Sequence, residues 1–174
     1  METILKTEKF ELRSFRPEDI NDVFKGLSDP QVIRYYGISY QSLEETKAQM
    51  DWFIDLEKNR TGLWWAIRLK SDNSFAGGIG FNHFQSQHYC AEMGFWLLPQ
   101  FWGQGILKEL IPLVFQYAVI NWNLHRMEAV AETENLQCIK LLEKTGFVFE
   151  GCRRECEYKN GKFIDLNIYA KLAK

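Results

Sequence analysis

The spacing of apolar residues predicts one strand followed by two helices in the first third of the chain. Apolar and polar residues alternate from Phe10 to Phe15, as expected of a half-buried strand. Helical spacing follows up to the Asp29-Pro30 break, with apolar residues at Ile20, Val23, Phe24 and Leu27. A second helix is predicted to begin at a capping box, Ser42 with Glu45. Its residues Met50, Phe53 and Ile54 are expected to face the core.

The middle of the chain predicts a hairpin, a strand and a long helix. Two β-type runs, 63–69 and 75–81, flank a polar turn at 71–74. A strand from Tyr89 to Leu98 follows, and helical spacing then extends from Ile106 to Ala118. Pro112 is expected to kink that helix, because proline removes a backbone donor and crowds the preceding turn.

The last third predicts a strand, a helix and a closing hairpin. The strand covers Arg126 to Ala131, and the helix begins at the N-cap Asn135, buries Ile139 and Leu142, and stops at Gly146. Strands at 147–158 and 163–172 then flank an Asn160-Gly161 turn. The predicted order is βααβββαβαββ. It indicates an α/β (α+β) fold with four helices and a mostly antiparallel sheet of about seven strands that holds one parallel pair.

Length and composition predict a single packed domain over residues 1–174 and narrow its partners. Apolar residues make up 46% of the chain, which favours a globular protein. The net charge of -2 leaves no basic excess for nucleic acid, so any anion site must be local. We expect no signal peptide and no membrane span, since no run approaches 18 apolar residues. Four cysteines without a C-x-x-C pair favour free thiols, a cytoplasmic location and no metal site.

Two glycines directly before the long predicted helix are the main candidate for chemistry. Gly103 and Gly105 leave backbone amides uncovered where the positive end of the helix dipole lies, and such a turn can cradle an anion. The same glycines also suit a turn with no ligand. The segment is neither a Walker loop, because no G-K-[ST] follows, nor a dinucleotide fingerprint, because a third glycine is missing.

The segment Gln100-Phe101-Trp102-Gly103-Gln104-Gly105 resembles the Q/R-x-x-G-x-G/A signature of the GNAT acetyltransferases, in which this loop holds the pyrophosphate of acetyl-CoA. Residues 91–110, 124–152 and 158–172 are similar to the RimJ/RimL branch, and the match extends from about residue 10 to 172. The tail is most similar to ribosomal-protein serine acetyltransferases of that branch. The resemblance implies the GNAT fold, a twisted sheet whose parallel pair is splayed apart.

The resemblance also implies acetyl-CoA as co-substrate, without a metal. Pantetheine would pair with the exposed backbone of the strand before the loop, and Asn135 would touch the pantetheine arm; as a bare residue, Asn135 is equally a helix cap. The implied cofactor-binding residues are Trp96, Leu97, Leu98, Gln100, Trp102, Gly103, Gln104, Gly105, Ile106, Asn135 and Cys138.

Three residues are candidates for the chemistry of transfer. Glu157 matches the branch glutamate credited with base function through water, and Glu92 lies where many other GNAT enzymes place their base. Either could instead be a solvated strand glutamate. Cys138 stands where the family has a serine that assists the departing thiolate. A thiol can donate that proton, although it can also simply pack as a small apolar residue, and covalent acyl-cysteine catalysis is a third reading.

These features predict an enzyme that moves acetyl from acetyl-CoA to an amine by direct attack. The expected acceptor is a protein N-terminus, such as that of a ribosomal protein. The alternatives are a small-molecule amine, such as a polyamine, an aminoglycoside or an amino acid, and a catalytically silent acyl-CoA-binding sensor. A homodimer is possible, since relatives are often dimers, and neither nucleic acid nor a membrane is expected as a partner.

Overall fold

The structure, a computed structural model, describes residues 3–173, which form two compact units. The first comprises residues 3–82 with 94–104, and the second comprises residues 83–93 with 105–173. The described strands are β1 (Leu5–Lys6), β2 (Phe10–Ser14), β3 (Leu63–Leu69), β4 (Phe75–Gln85), β5 (Cys90–Leu97), β6 (Arg126–Glu132), β7 (Val148–Lys159) and β8 (Lys162–Leu172). The α-helices are α1 (Ile20–Leu27), α2 (Pro30–Ile33), α3 (Leu43–Lys58), α4 (Ile106–Trp122) and α5 (Leu136–Lys144).

The predicted α/β class is confirmed, and two short elements add to the predicted order. The strands hydrogen-bond in the order β1-β2-β3-β4-β5-β6-β8-β7. The added strand, β1, has two residues, too few for an alternating pattern. The added helix, α2, begins at the predicted break, because the Asp29 side chain accepts a hydrogen bond from the Gln31 N–H (2.8 Å) and Pro30 suits a first helical position.

In the first unit, antiparallel strands and the helices α1 and α3 share an aromatic core. Trp64 and Trp65, which are adjacent on β3, are both buried. Met50 and Phe53 of α3 lie in the core as predicted, whereas Ile54, also predicted to face inward, is exposed. Half of the predicted capping box forms: Ser42 Oγ accepts from the Glu45 N–H (3.2 Å), whereas the Glu45 carboxylate accepts from the Gln41 N–H (2.7 Å).

A buried ion network fixes β2 and β3 to the start of α1. Asp19 has no exposed surface, accepts hydrogen bonds from both Arg13 guanidinium nitrogens (2.7 and 2.8 Å), and also pairs with Arg68. Burial raises the pKa of Asp19, but hydrogen bonds from Arg13, the Arg16 backbone and Arg68 outweigh it, and the net pKa is lowered. The Asp19 carboxylate is therefore charged and structural.

In the second unit, β5 and β6 form a short parallel ladder. It covers three pairs, Cys90 with Arg126, Ala91 with Met127, and Glu92 with Glu128. The other edge of β6 pairs with β8 along all seven β6 residues, and β8 pairs with β7. Helices α4 and α5 cover one face of these strands.

Lys171 on β8 identifies that helix-covered face. Its ammonium lies 4.8 Å from the Phe115 ring of α4 and donates to the Thr145 carbonyl at the end of α5 (2.6 Å). Helix α4 runs through Pro112, and its predicted kink stays a prediction. Across residues 3–173, no helix is both long and apolar enough to cross a bilayer.

Candidate functional site

The loop before α4 is held by its own side chains. A 3₁₀ turn, Pro99–Phe101, leads out of β5. The Trp102 indole then donates to the Leu97 carbonyl (2.8 Å), and the Gln104 side-chain amide donates to the Gln100 carbonyl (2.8 Å). These two bonds fix the loop without using the backbone N–H groups of the glycines.

Gly103 and Gly105 adopt left-handed backbone conformations, with φ of 73° and 77°, which other residues adopt only at a cost. No atom lies within 4 Å of a Cβ built on either glycine, so the space beside them is open. Helix α4 follows, with a buried Ile106, and its first intrahelical bond runs from the Glu109 N–H to the Gly105 carbonyl (3.2 Å). The amides ahead of Glu109 therefore form a cradle that fits a phosphate group.

The end of β5 offers less free backbone than expected. The side chains of Trp96, Leu97 and Leu98 are all buried, so a ligand could meet only their main chain. Two of those backbone groups are already used, since the Leu98 N–H donates to the Ala76 carbonyl (2.9 Å) and the Leu97 carbonyl accepts from Trp102. Fewer backbone groups of this segment therefore remain for a ligand.

The start of α5 is capped by its own side chain. Asn135 Oδ1 accepts from the Cys138 N–H (3.1 Å), while the Asn135 Nδ2 group makes no hydrogen bond within residues 3–173. Burial raises the pKa of the Cys138 thiol to about 12. The thiol therefore stays protonated near neutral pH, which suits a hydrogen-bond donor and argues against a thiolate nucleophile.

The two candidate glutamates share one face of the second unit's sheet. Lys171, opposite Met127, points to the face of α4 and α5, so Glu128 and its neighbour Glu92 point to the other. Glu157 pairs with Ile164, which lies six residues from Ala170, the partner of Glu128, and therefore shares that other face. A bulge between Arg153 and Glu157 precedes it.

Sequence reasoning missed the charged neighbours of Glu92. His83 Nδ1 lies 3.6 Å from Glu92 Oε2, and Arg126 bonds both Glu128 (2.8 Å) and Glu150. His83 lies two residues beyond the strand predicted at 75–81. Its pairing with Glu92 depends on strand register, however, which the sequence left open.

Comparisons with known proteins bear on this site. Residues 9–148 match the family model described as an acetyltransferase (GNAT) domain. YoaA, an uncharacterized N-acetyltransferase of Bacillus subtilis (strain 168), is 33% identical over 96% of this chain and 95% of its own.

Two solved structures share the fold. The first is RimL, a ribosomal L7/L12 α-N-protein acetyltransferase, in complex with coenzyme A that forms a disulfide with a cysteine. It is 24% identical, with a TM-score of 0.87 and coverage of 98% of each chain. The second is spermidine N-acetyltransferase of Vibrio cholerae with coenzyme A and spermine. It is 20% identical, with a TM-score of 0.85 and coverage of 95% of this chain and 96% of its own.

Proposed function

The chain belongs to the GNAT family of acetyltransferases, and from this premise we propose that it transfers acetyl from acetyl-CoA to the N-terminal α-amine of a protein. The observation that carries the donor half is the row of open amides from Gly103 to the start of α4. A diphosphate would accept hydrogen bonds there and meet the positive end of the helix dipole.

The rest of the donor site would hold the coenzyme by a few polar groups. Gln100, Trp102 and Gln104 would keep the loop in shape, and Ile106 would anchor the first turn of α4 in the core. The unengaged Asn135 Nδ2 would donate to the pantetheine arm. Acetyl-CoA supplies the activated thioester, and these side chains supply binding and orientation.

An α-amine acceptor suits a site with modest bases. At pH 7 an α-amine loses its proton at a cost of about 1 to 1.5 kcal/mol, whereas a lysine costs about 4.6 kcal/mol. The name of the RimL neighbour, an α-N-protein acetyltransferase for ribosomal L7/L12, supports the same class. We therefore place a protein N-terminus, such as that of a ribosomal protein, first among acceptors.

Glu157 and Glu92 would share the work of removing the acceptor's proton, each through a water molecule. Both lie on the sheet face opposite α5, which carries Cys138. Cys138 would donate a hydrogen bond to the departing thiolate from the other side. Because burial raises the pKa of its thiol to about 12, Cys138 holds its proton too tightly to give it up to an ordinary thiolate.

A peptide panel tests the proposal. The protein is incubated with acetyl-CoA and peptides bearing free or blocked N-termini, and mass spectrometry locates any acetyl group. Acetylation of free α-amines alone supports the proposal. Acetylation confined to lysine side chains, or coenzyme A binding without any product, contradicts it; the second result would indicate an acyl-CoA sensor.

Variants separate the two bases. Glu157→Gln and Glu92→Gln should each lower kcat, and a base of this kind contributes about 10²- to 10⁴-fold. Glu128→Gln is the matched control, because Glu128 shares the sheet face but is bonded to Arg126. Full kcat in both test variants would remove the glutamates from the mechanism and leave the enzyme class standing.

A small polycation is the second candidate acceptor. The spermidine N-acetyltransferase neighbour takes such a substrate, and three glutamates, Glu92, Glu128 and Glu157, lie on one face here. Spermidine and spermine therefore belong in the same panel. A kcat/KM for spermidine above that for every peptide would favour this alternative.

A further inference from the structure

His83 and Glu92 form a pair near the end of the short parallel ladder. His83 lies in β4 and Glu92 in β5, both within the second unit, and Nδ1 and Oε2 are 3.6 Å apart. Both side chains reach solvent, with 71% and 39% of their surface exposed. Packing in the core therefore does not explain why these two side chains lie together.

The backbone at His83 is unusual for a strand. Its φ is 54°, in the left-handed region, although β4 continues to Gln85. A residue of that conformation inside a strand redirects its side chain. Left-handed conformations cost free energy in non-glycine residues and concentrate where a side chain has a task.

Glu92 stands at the last pair of the parallel ladder, opposite Glu128. This is the point from which a splayed pair would open toward the reacting thioester. The structure thus directs an imidazole at one of the two candidate bases.

We propose that His83 is a positioning residue for acetyl transfer, which orients the Glu92 carboxylate and modulates by its own charge how readily Glu92 accepts the acceptor's proton. The inference rests on the proposed function, and specifically on Glu92 as a base. In the step concerned, one proton passes from the acceptor ammonium through water to the Glu92 carboxylate, and the freed amine forms a bond to the thioester carbonyl carbon. The carbon–sulfur bond then breaks, and coenzyme A leaves as a thiolate that takes up the second proton released by the nitrogen. His83 exchanges no atoms in that step.

The physical reason is the charge of the imidazole. Imidazole changes charge between pH 5 and 8. A charged His83 beside Glu92 stabilises the carboxylate anion and so weakens it as a base, whereas a neutral His83 leaves its basicity intact. Proton acceptance by Glu92 should therefore be better when His83 is neutral than when it is charged.

Other titratable and charged groups near Glu92 are distributed over three strands. Cys90 shares its face on β5, Glu128 lies opposite on β6 with Arg126 bonded to it, and Glu150 on β7 bonds the same arginine. Glu157 shares the face from β7. The Arg126 charge is compensated by its two carboxylates, and His83 is the imidazole among these groups.

The test compares kcat/KM from pH 5.5 to 8 for the parent and His83→Gln, with one acceptor peptide. Titration of the acceptor cancels in the ratio of variant to parent. We expect this ratio to fall about two- to fivefold as the pH rises, in keeping with an exposed pair. His88→Gln is the matched control, because His88 is an exposed histidine in the connection that follows β4, and its ratio should stay flat.

Glu92→Gln and the double variant complete the cycle. If His83 acts through Glu92, His83→Gln changes nothing further in the Glu92→Gln background. A flat His83→Gln ratio beside an impaired Glu92→Gln overturns the inference and leaves the proposed function standing. An equal pH dependence in the Glu92→Gln background also overturns it. If the parent transfers acetyl to no α-amine, the proposed function itself is contradicted. Thermal unfolding of each variant shows whether the variant has lost its fold.

Discussion

The two helix starts of the candidate site, those of α4 and α5, differ in how their unpaired backbone amides are satisfied. Every helix begins with amides that lack intrahelical partners. At α5 the Asn135 side chain accepts a hydrogen bond from the Cys138 N–H, so one of these amides is satisfied within the chain. At α4 the N-cap is Gly105, which has no side chain, and the space beside it is open. Under the proposed function the amides of α4 would meet a ligand, whereas the cap of α5 bonds the Cys138 backbone.

The largest expected effect comes from closing the open start. Gly105→Ala forces an alanine into a left-handed conformation and places a methyl group beside the amides. The KM for acetyl-CoA should rise at least about tenfold, which corresponds to about 1.4 kcal/mol. Steady-state kinetics with varied acetyl-CoA measures this.

Gly161→Ala is the matched control for that change. Gly161 has a φ of 80° and equally open surroundings, but it lies in the β7–β8 turn. The backbone cost is therefore similar while the cradle is untouched. Equal KM values in the two variants would show that strain alone, and not the cradle, accounts for the loss.

Removing the cap of α5 should give the next effect. Asn135→Ala loses the hydrogen bond to the Cys138 N–H, and the free energy of unfolding should fall by about 1 to 2 kcal/mol in denaturant titration. Asn135→Ser retains an N-cap oxygen but no amide. If serine restores stability while the KM for acetyl-CoA stays raised, Asn135 has both roles; full recovery of both would reduce it to a cap.

The Cys138 thiol predicts a pH effect of similar or smaller size. Burial raises its pKa from 9.0 to about 12, so the folded state keeps the proton after the unfolded state has lost it. The contribution of this pKa shift to the free energy of unfolding is complete below pH 9 and is lost as the pH rises toward 12. At pH 10 the loss is about 1 kcal/mol.

Cys138→Ala should lack this alkaline loss. Unfolding midpoints at pH 8 and pH 10 compare it with the parent and with Cys152→Ala, whose thiol is exposed. Identical alkaline losses in all three proteins would contradict the raised pKa of the Cys138 thiol.

The smallest effect concerns the tie that shapes the loop before α4. Trp102→Phe removes the 2.8 Å hydrogen bond to the Leu97 carbonyl and keeps an aromatic ring. A bond of this kind is worth about 1 kcal/mol, so the KM for acetyl-CoA should rise about two- to fivefold with kcat unchanged. An unchanged KM would mean that the glycines keep the loop shape unaided.

Local sequence patterns predicted most of the fold, whereas the features that they missed depend on pairing across the sheet. Helical spacing, the Asn135 cap and the Asn160-Gly161 turn each depend on residues close in sequence, and each lies where it was predicted. Ile54 was misassigned because a single apolar residue can fall beside the inward stripe of a helix as easily as on it. The two-residue β1 had no periodicity to read.

In the candidate site, too, the features that follow from consecutive residues were predicted, and those that depend on contacts between distant residues were not. The turn at Gly103 and Gly105 was recognisable because its chemistry is written in consecutive residues. The burial of Cys138, the tie from Trp102 and the pairing of His83 with Glu92 depend on contacts that only the folded chain creates. The sequence predicted a thiol that can donate its proton, whereas desolvation in the folded chain raises the pKa of that thiol.

The most direct test of the open start of α4 is calorimetric titration with coenzyme A and with pantetheine, which lacks the diphosphate. If the exposed amides of α4 hold the diphosphate, the parent should bind coenzyme A at least about 100-fold more tightly, equivalent to about 2.7 kcal/mol, and Gly105→Ala should lose most of that preference. Equal affinities of the parent for the two ligands, or a preference that survives in Gly105→Ala, would contradict the account.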